Sequence, residues 1–444
     1  MSKKKLAPKF SKTNLRYASQ SAVVDSFKDL KKIFSTGSWL SKKNRYRLDT
    51  TTRLQEDLNN NHIREKHLTT YIGASSVGHC FDGWKYLGRA ISSATELDLN
   101  TARHLAYYAE LRATMSILSS QGIAIFKDRH IILSKNKIYS RKGPSTHPMA
   151  WEGLGYFANK RGSAYSLLSI IKPDQHSLND WLTTLGIDTY REKLGREWLK
   201  TWGLDIKRFS LDQEVRNYLS YRPSQINEKH QIDFKYLVKL IHDIWESSEF
   251  PTFTKIDAQL LRRSMKTGFE FLTGTKVEDH LPEYEKRISS LVWSLAPTGY
   301  SPEFWIRYLT DFTDESIIIK EAFGTADLNQ PNQYIQMISR AFLLLRIASG
   351  YVKQNFEQAG ITGKELKFWW SPLIKHLGYT NEKIEENELN DVLFTDAISC
   401  KDSLYAQISN PRFSLDTFSW VNNYFEDKIK TSQLERIGIV AIAS

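Results

Sequence analysis

Arg103, Tyr107 and Glu110 stand four and three residues apart, with Thr114 four further on, inside the most strongly patterned stretch of the chain, Phe81–Gly122. On an α-helix that spacing puts a guanidinium, a phenol and a carboxylate on one face. Arg103 and Glu110 can then pair through Tyr107 into one hydrogen-bonded group. A partly buried group of this kind binds or cleaves a phosphate-bearing ligand, which makes all three candidate catalytic residues. The other reading is a solvated or partner-facing stripe on an amphipathic helix. Further arginines extend the phosphate-binding set: Arg112 on the same run, and Arg216 and Arg222 in Leu211–Pro223. An arginine at a helix end also serves simply to satisfy the last carbonyls.

Other chemistry is sparse. The chain carries no Walker loop, GxGxxG, HExxH or EF-hand loop. Ser169–Lys172 fits SxxK, a spacing frequent by chance, and GASSVG (Gly73–Gly78) is not a nucleophile elbow. The 11 histidines fall at no metal spacing. Cys80 and Cys400 form neither a disulfide framework nor a Cys-type zinc site, and His79 beside Cys80 cannot complete a tetrahedron. No metal and no cofactor are expected.

The elements that must position these residues follow from periodicity. Trp84, Leu87 and Ile91 predict a helix over Phe81–Ser93, and Tyr108, Leu111, Met115 and Leu118 predict a seam along Thr101–Ser120. Asp98 or Asn100 caps the second helix, and Gly122 sits where its C-terminus needs the left-handed conformation. The pair is an αα-hairpin. Beyond it, Ile123–Phe126 and His130–Leu133 predict a β-hairpin, extended by Ile138–Tyr139. Helices are then expected over Thr146–Ala158, Tyr165–Ile171, Ser177–Leu185, Tyr190–Trp202, Phe234–Glu246, Ala258–Leu272, Tyr284–Leu295 and Pro302–Asp311. Ser177 and Asp180 suit a helix start. Gln333–Gly350 is the strongest helix of the second half; its Arg346, if buried, needs a carboxylate such as Glu357 or Glu365. Leu54–His67 reads as a short polar helix, Gly73–Gly78 as a loop, and the final ERIGIVAIAS as a buried strand.

The hairpin resembles a known family. A helix with Leu87 that ends in Arg89–Ala90, a polar connector, then Tyr107–Tyr108–Ala109, Ala113, Leu118 and Gly122–Ile123 is similar to the two leading helices of HEPN domains. Those are small helical bundles of prokaryotic toxins and antiviral systems, many of them metal-independent RNases. The resemblance is confined to about Phe81–Ile123, and it implies RNA in preference to DNA as partner. Active members carry an Arg and a His a few residues apart on a later helix. Here only Arg141 and His147 have that spacing, inside RKGPSTHP, where a glycine and two prolines argue against a helix. The β-hairpin would be an insertion in a family that is helical at this point.

Composition sets the frame. With 444 residues, 41% hydrophobic and 12 Trp, the chain can bury two cores and is not a disordered protein. The net charge of +11 is concentrated: residues 1–50 carry 13 Lys or Arg against three Asp. This basic arm, with Lys3, Lys4, Lys5, Lys42, Lys43, Arg45 and Arg47, suits a nucleic-acid backbone, or else is a solubilising tail. Residues 1–24 lack the apolar core of a secretory signal but contain no acid, so a transit segment stays open. The longest apolar run, Ala341–Val352, is too short to span a bilayer.

The expected fold is mainly α: a helical bundle with a small β-hairpin insertion and a second helical domain. The expected divisions are a basic arm (1–50), a HEPN-like domain (51–250) and a helical domain ending in a strand (251–444). Two functions are expected side by side. One is a cytoplasmic, nucleic-acid-associated component of a prokaryotic defence or toxin system with metal-independent RNase chemistry. The other is a non-enzymatic scaffold that binds protein partners or itself.

Overall fold

Two long antiparallel helices, α3 (Glu65–Thr95) and α4 (Leu99–Ser120), form the spine on which the other elements pack. The structure is a computed structural model; it describes residues 12–186, 188–211, 233–249, 253–324, 333–380, 382–410 and 424–443. In chain order, α1 (Gln20–Phe34) and α2 (Thr50–Asn59) precede the spine. The sheet β1 (Ile123–Phe126), β2 (Arg129–Leu133) and β3 (Ile138–Lys142) follows it. Next come α5 (Thr146–Asn159), α6 (Ser163–Ser169), α7 (Leu178–Thr184), α8 (Asp188–Trp202), α9 (Leu204–Leu211) and α10 (Phe234–Ser248). The second half contains α11 (Thr254–Thr273), α12 (Leu281–Leu295), α13 (Pro302–Thr310), α14 (Ile317–Ala322) and α15 (Gln333–Ala359). It ends with α16 (Lys367–His376), α17 (Leu389–Ser409), α18 (Phe425–Ser432) and α19 (Glu435–Ala443). The protein is thus mainly α with one small antiparallel sheet in the order β1-β2-β3.

The spine forms for the anticipated reasons. Asp98 accepts the Thr101 amide at 3.1 Å and caps α4. Gly122 follows the helix with φ +87°, and a side chain there would strike the Leu133 carbonyl and Ser19 backbone. Ile123 pairs with Ile132 and Phe126 with Arg129, closing the expected hairpin, and β3 adds to its far edge. The Ser177–Asp180 capping box starts α7.

Four readings are corrected. Gly73–Gly78 lies inside α3, which begins at Glu65; Gly73 is tight against Ser26 and Leu30 of α1, so small residues serve helix contact rather than a turn. The terminal ERIGIVAIA segment is a helix, not a strand: it is buried on all sides, where continuous apolar sequence has no readable period. From Lys12 onward the basic arm belongs to the fold. Val23, Phe27, Leu30 and Phe34 recur at helical spacing and bury α1 against α3 and α15, a pattern hidden beneath the charge count. The Arg346 partner is Asp257, through 2.9 and 2.6 Å contacts, and not Glu357 or Glu365.

α15 lies along α4, joining the second half of the chain to the first. A continuous apolar cluster runs from Leu15 to Ala443, so the expected division at residue 250 does not separate two cores. By length and composition α15 can cross a membrane, yet 94% of its apolar window is buried inside the protein, as a core helix is.

Candidate phosphate-binding site

The polar stripe of α4 does not form a surface site. Arg103, Tyr107 and Glu110 are buried, and Glu110 is 0% exposed. Arg103 reaches Asn100 at 3.3 Å, Tyr107 bonds the His147 ring, and Glu110 faces Arg340 of α15 at 3.8 Å. Arg340 is held more closely by Asp205 of α9, at 2.6 Å. Packing of α3, α5, α9 and α15 around α4 closes over the stripe, so an ion-pair cluster stands where a catalytic group was expected.

The neighbouring face is the open one. Leu111 and Met115 are buried, as their spacing predicts, and with half-buried Tyr108 and Arg112 they line a cavity of about 440 Å³. The other walls are the start of α2 (Asp49–Thr51), Tyr71 of α3, the end of β1 with Lys127, and the start of α5 with Thr146 and His147. Two helix N-termini and three basic side chains therefore meet at one pocket, against the single carboxylate of Asp49. Oriented amides and guanidinium groups of this kind bind oxyanions.

Each basic group is positioned by a different element. The Arg112 guanidinium donates to His79 Nδ1 at 2.8 Å and has Asp82 at 3.8 Å, both on α3. Burial, reinforced by the Arg112 charge, pushes the His79 imidazole down to about 3, so it is a neutral acceptor that aims the arginine. His147 comes from the first turn of α5, where its ring stacks on Tyr107 and its Nδ1 bonds the phenol. Lys127 is exposed in the β1–β2 turn. Tyr108 is held edge-on by His104 and stacked on Tyr86, which fixes an aromatic surface in the wall.

Of the arm residues, Arg45 is occupied by Asp57 and Glu56 at 2.7 to 2.9 Å. Lys42, Lys43 and Arg47 are exposed on the segment leading to Asp49, and they make no ion pair among the described residues. Lys3, Lys4, Lys5, Arg216 and Arg222 lie outside the described residues. Arg141 is in β3 and His147 in α5, so that pair does not share a helix. The sequence offers His147 only as a partner of Arg141, and Lys127 not at all, because only the fold brings them to Arg112. No group of acids, histidines and cysteines suited to a metal occurs among the described residues. No family model, curated protein or solved structure matches the chain.

Proposed function

We propose that this pocket binds the phosphate backbone of RNA and that the protein acts in the cytoplasm as a nucleic-acid-associated component of a prokaryotic defence or toxin system. The convergence of Arg112, Lys127 and His147 on a cavity walled by two helix N-termini carries the reading. The HEPN resemblance of α3 and α4 supplies the biological class. Lys42, Lys43 and Arg47 extend the basic track towards the start of α2.

The same groups support metal-independent cleavage. The His147 imidazole would take the proton from a ribose 2′-hydroxyl, whose oxygen attacks the adjacent phosphorus. A 2′,3′-cyclic phosphate forms as the bond to the 5′ oxygen breaks, and that oxygen takes a proton from water or the protonated imidazole. Arg112 would offset the charge that develops on the non-bridging oxygens. The family's Arg and His would then be supplied by two helices instead of one.

Labelled single-stranded RNA titrated with the full chain across a salt series tests this. Arg112→Ala should weaken binding by roughly 10-fold, the worth of one charge-assisted contact, and flatten the salt slope by about 0.7. His147→Ala should abolish cleavage and retain most of the binding. Unchanged affinity in Arg112→Ala would remove the pocket from the reading, and binding without cleavage by the wild type would leave an RNA-tethered protein.

A scaffold role rests on a separate observation. Trp293 and Tyr300, at the junction of α12 and α13, are 59% and 56% exposed, as side chains that anchor partner proteins are before binding.

A further inference from the structure

A second polar cavity, of about 210 Å³, opens between the end of α6, the start of α11 and the middle of α15, away from the pocket on α4. Arg346 forms its floor and is only 6% exposed. The guanidinium is partly spent: Nε and Nη2 donate to Asp257, Nη2 also donates to the Ile170 carbonyl, and the ring of Phe253 covers its plane. Among the described residues Nη1 has no hydrogen-bond partner. It lies above Gly350, where a Cβ would come within 2.9 Å of it. An unpaired N–H that reaches the cavity from an otherwise buried, fixed guanidinium is available to a ligand acceptor.

The charges around that nitrogen select the ligand. Asp257 is saturated, because its second oxygen also accepts the Lys172 backbone amide at 2.7 Å. Lys172 and Lys353 stand at the rim and, like Glu357 one turn beyond Lys353, form no ion pair among the described residues. Three cations therefore face one carboxylate still available. Partial desolvation, offset in part by Glu357, together with the charges of Arg346 and Lys172, pushes the Lys353 ammonium below its ordinary value. An anion between the lysines relieves that repulsion. The cavity is smaller than the ~300 Å³ at which pockets for organic ligands begin, so it suits one compact oxyanion.

We infer that this cavity is an oxyanion site that takes inorganic phosphate or the phosphate group of a small monoester, with Arg346 Nη1 as the donor at its floor and Lys172 and Lys353 closing over it. Asp257 holds the guanidinium in place, and Gly350 leaves the approach open.

Calorimetric titration of the full chain with sodium phosphate, and separately with glycerol 3-phosphate, against sodium chloride of matched ionic strength tests the site. Saturable binding of one equivalent is expected from one or both. Tighter binding of the monoester identifies an organic phosphate as the ligand, and tighter binding of phosphate identifies the free ion. The double variant Lys172→Gln/Lys353→Gln alters only exposed side chains and should weaken binding at least 10-fold with an unchanged unfolding transition. Gly350→Ala, which fills the space over Nη1, should do the same. Arg112→Ala, in the pocket on α4, should leave this binding intact. The inference falls if neither anion binds saturably, or if the double variant binds as well as wild type. It also falls if Arg112→Ala removes the signal, which would assign the phosphate to the other pocket.

Discussion

At the residue scale, the same chemical types do opposite work according to burial. Glu110 and Arg340 are both 0% exposed, and Asp205 shares the guanidinium with Glu110. Removing one member of such a cluster strands charge in the interior, at about 3–5 kcal/mol. Arg340→Leu is therefore expected to lower unfolding free energy by that order, measured in urea. Glu110→Gln should be milder and should leave RNA affinity of the folded protein unchanged, because Glu110 does not line the pocket. A loss of affinity in Glu110→Gln at full stability would restore the stripe as the site. His79 makes a pH prediction. Its imidazole is neutral when folded, held down to about 3, and takes a proton near 6.5 when unfolded. The unfolded state therefore binds more protons between those values, so stability is complete above 6.5 and falls as pH drops towards 3. His104 and His242 are also shifted down by burial and act in the same window. The His79 share is thus the difference between wild type and His79→Gln: a slope of about 1.4 kcal/mol per pH unit that the variant lacks. Parallel stability curves for the two proteins between pH 4 and 6 would refute the neutral imidazole.

At the element scale, α3 shows why sequence period and final structure diverge. Its glycines have opposite duties. A Cβ at Gly88 would run into the Ser432 carbonyl and the Leu434 amide, whereas one at Gly78 would meet nothing within 4 Å. Gly78→Ala should stabilise by about 0.5–1 kcal/mol, the helix-propensity gain. Gly88→Ala should destabilise by about 1–3 kcal/mol, since backbone in α18 and its following turn cannot step aside cheaply. Unfolding midpoints of the two variants, moving in opposite directions from wild type, check this. A shared upward shift would mean that α18 yields. The contrast also explains what was legible. Asp98, Gly122, the Ser177–Asp180 box and the β-hairpin register follow local rules, and the sequence carries them. Gly73–Gly78 looks like a loop and α19 like a strand because their conformation is decided by what packs on them. The burial of the polar stripe on α4 has the same cause. Leu111 and Met115 are buried as their spacing predicts, whereas Arg103, Tyr107 and Glu110 look like surface until α15 and α9 bring Arg340 and Asp205 to the polar side. Arg112 alone was identified from the chain, because it lies on the open face whichever way the stripe is judged.

At the scale of the whole molecule, α15 joins the two halves chemically as well as sterically. It comes from the second half, yet its Arg340 finds its carboxylates, Glu110 and Asp205, in the first. Leu345 touches the face of α3 at Gly83, where a Cβ would come within 2.5 Å of it. Phe342 and Tyr334 are buried, and Trp84 of the first half packs edge-on against Phe342. If residues 1–250 and 251–444 are produced separately, the first loses the cover over α4 and the second carries an uncompensated arginine on an exposed apolar helix. Each fragment alone is expected to keep helical circular dichroism while binding a hydrophobic dye and melting without a sharp transition. Mixed, they should recover a cooperative transition and lose the dye signal, since the interface re-forms the continuous core. A sharp, dye-free transition for residues 251–444 alone would show that the second half closes its own core. The contact of α15 with α4 would then be a docking surface between independent domains, and the pocket beside Arg112 would belong to the first half alone.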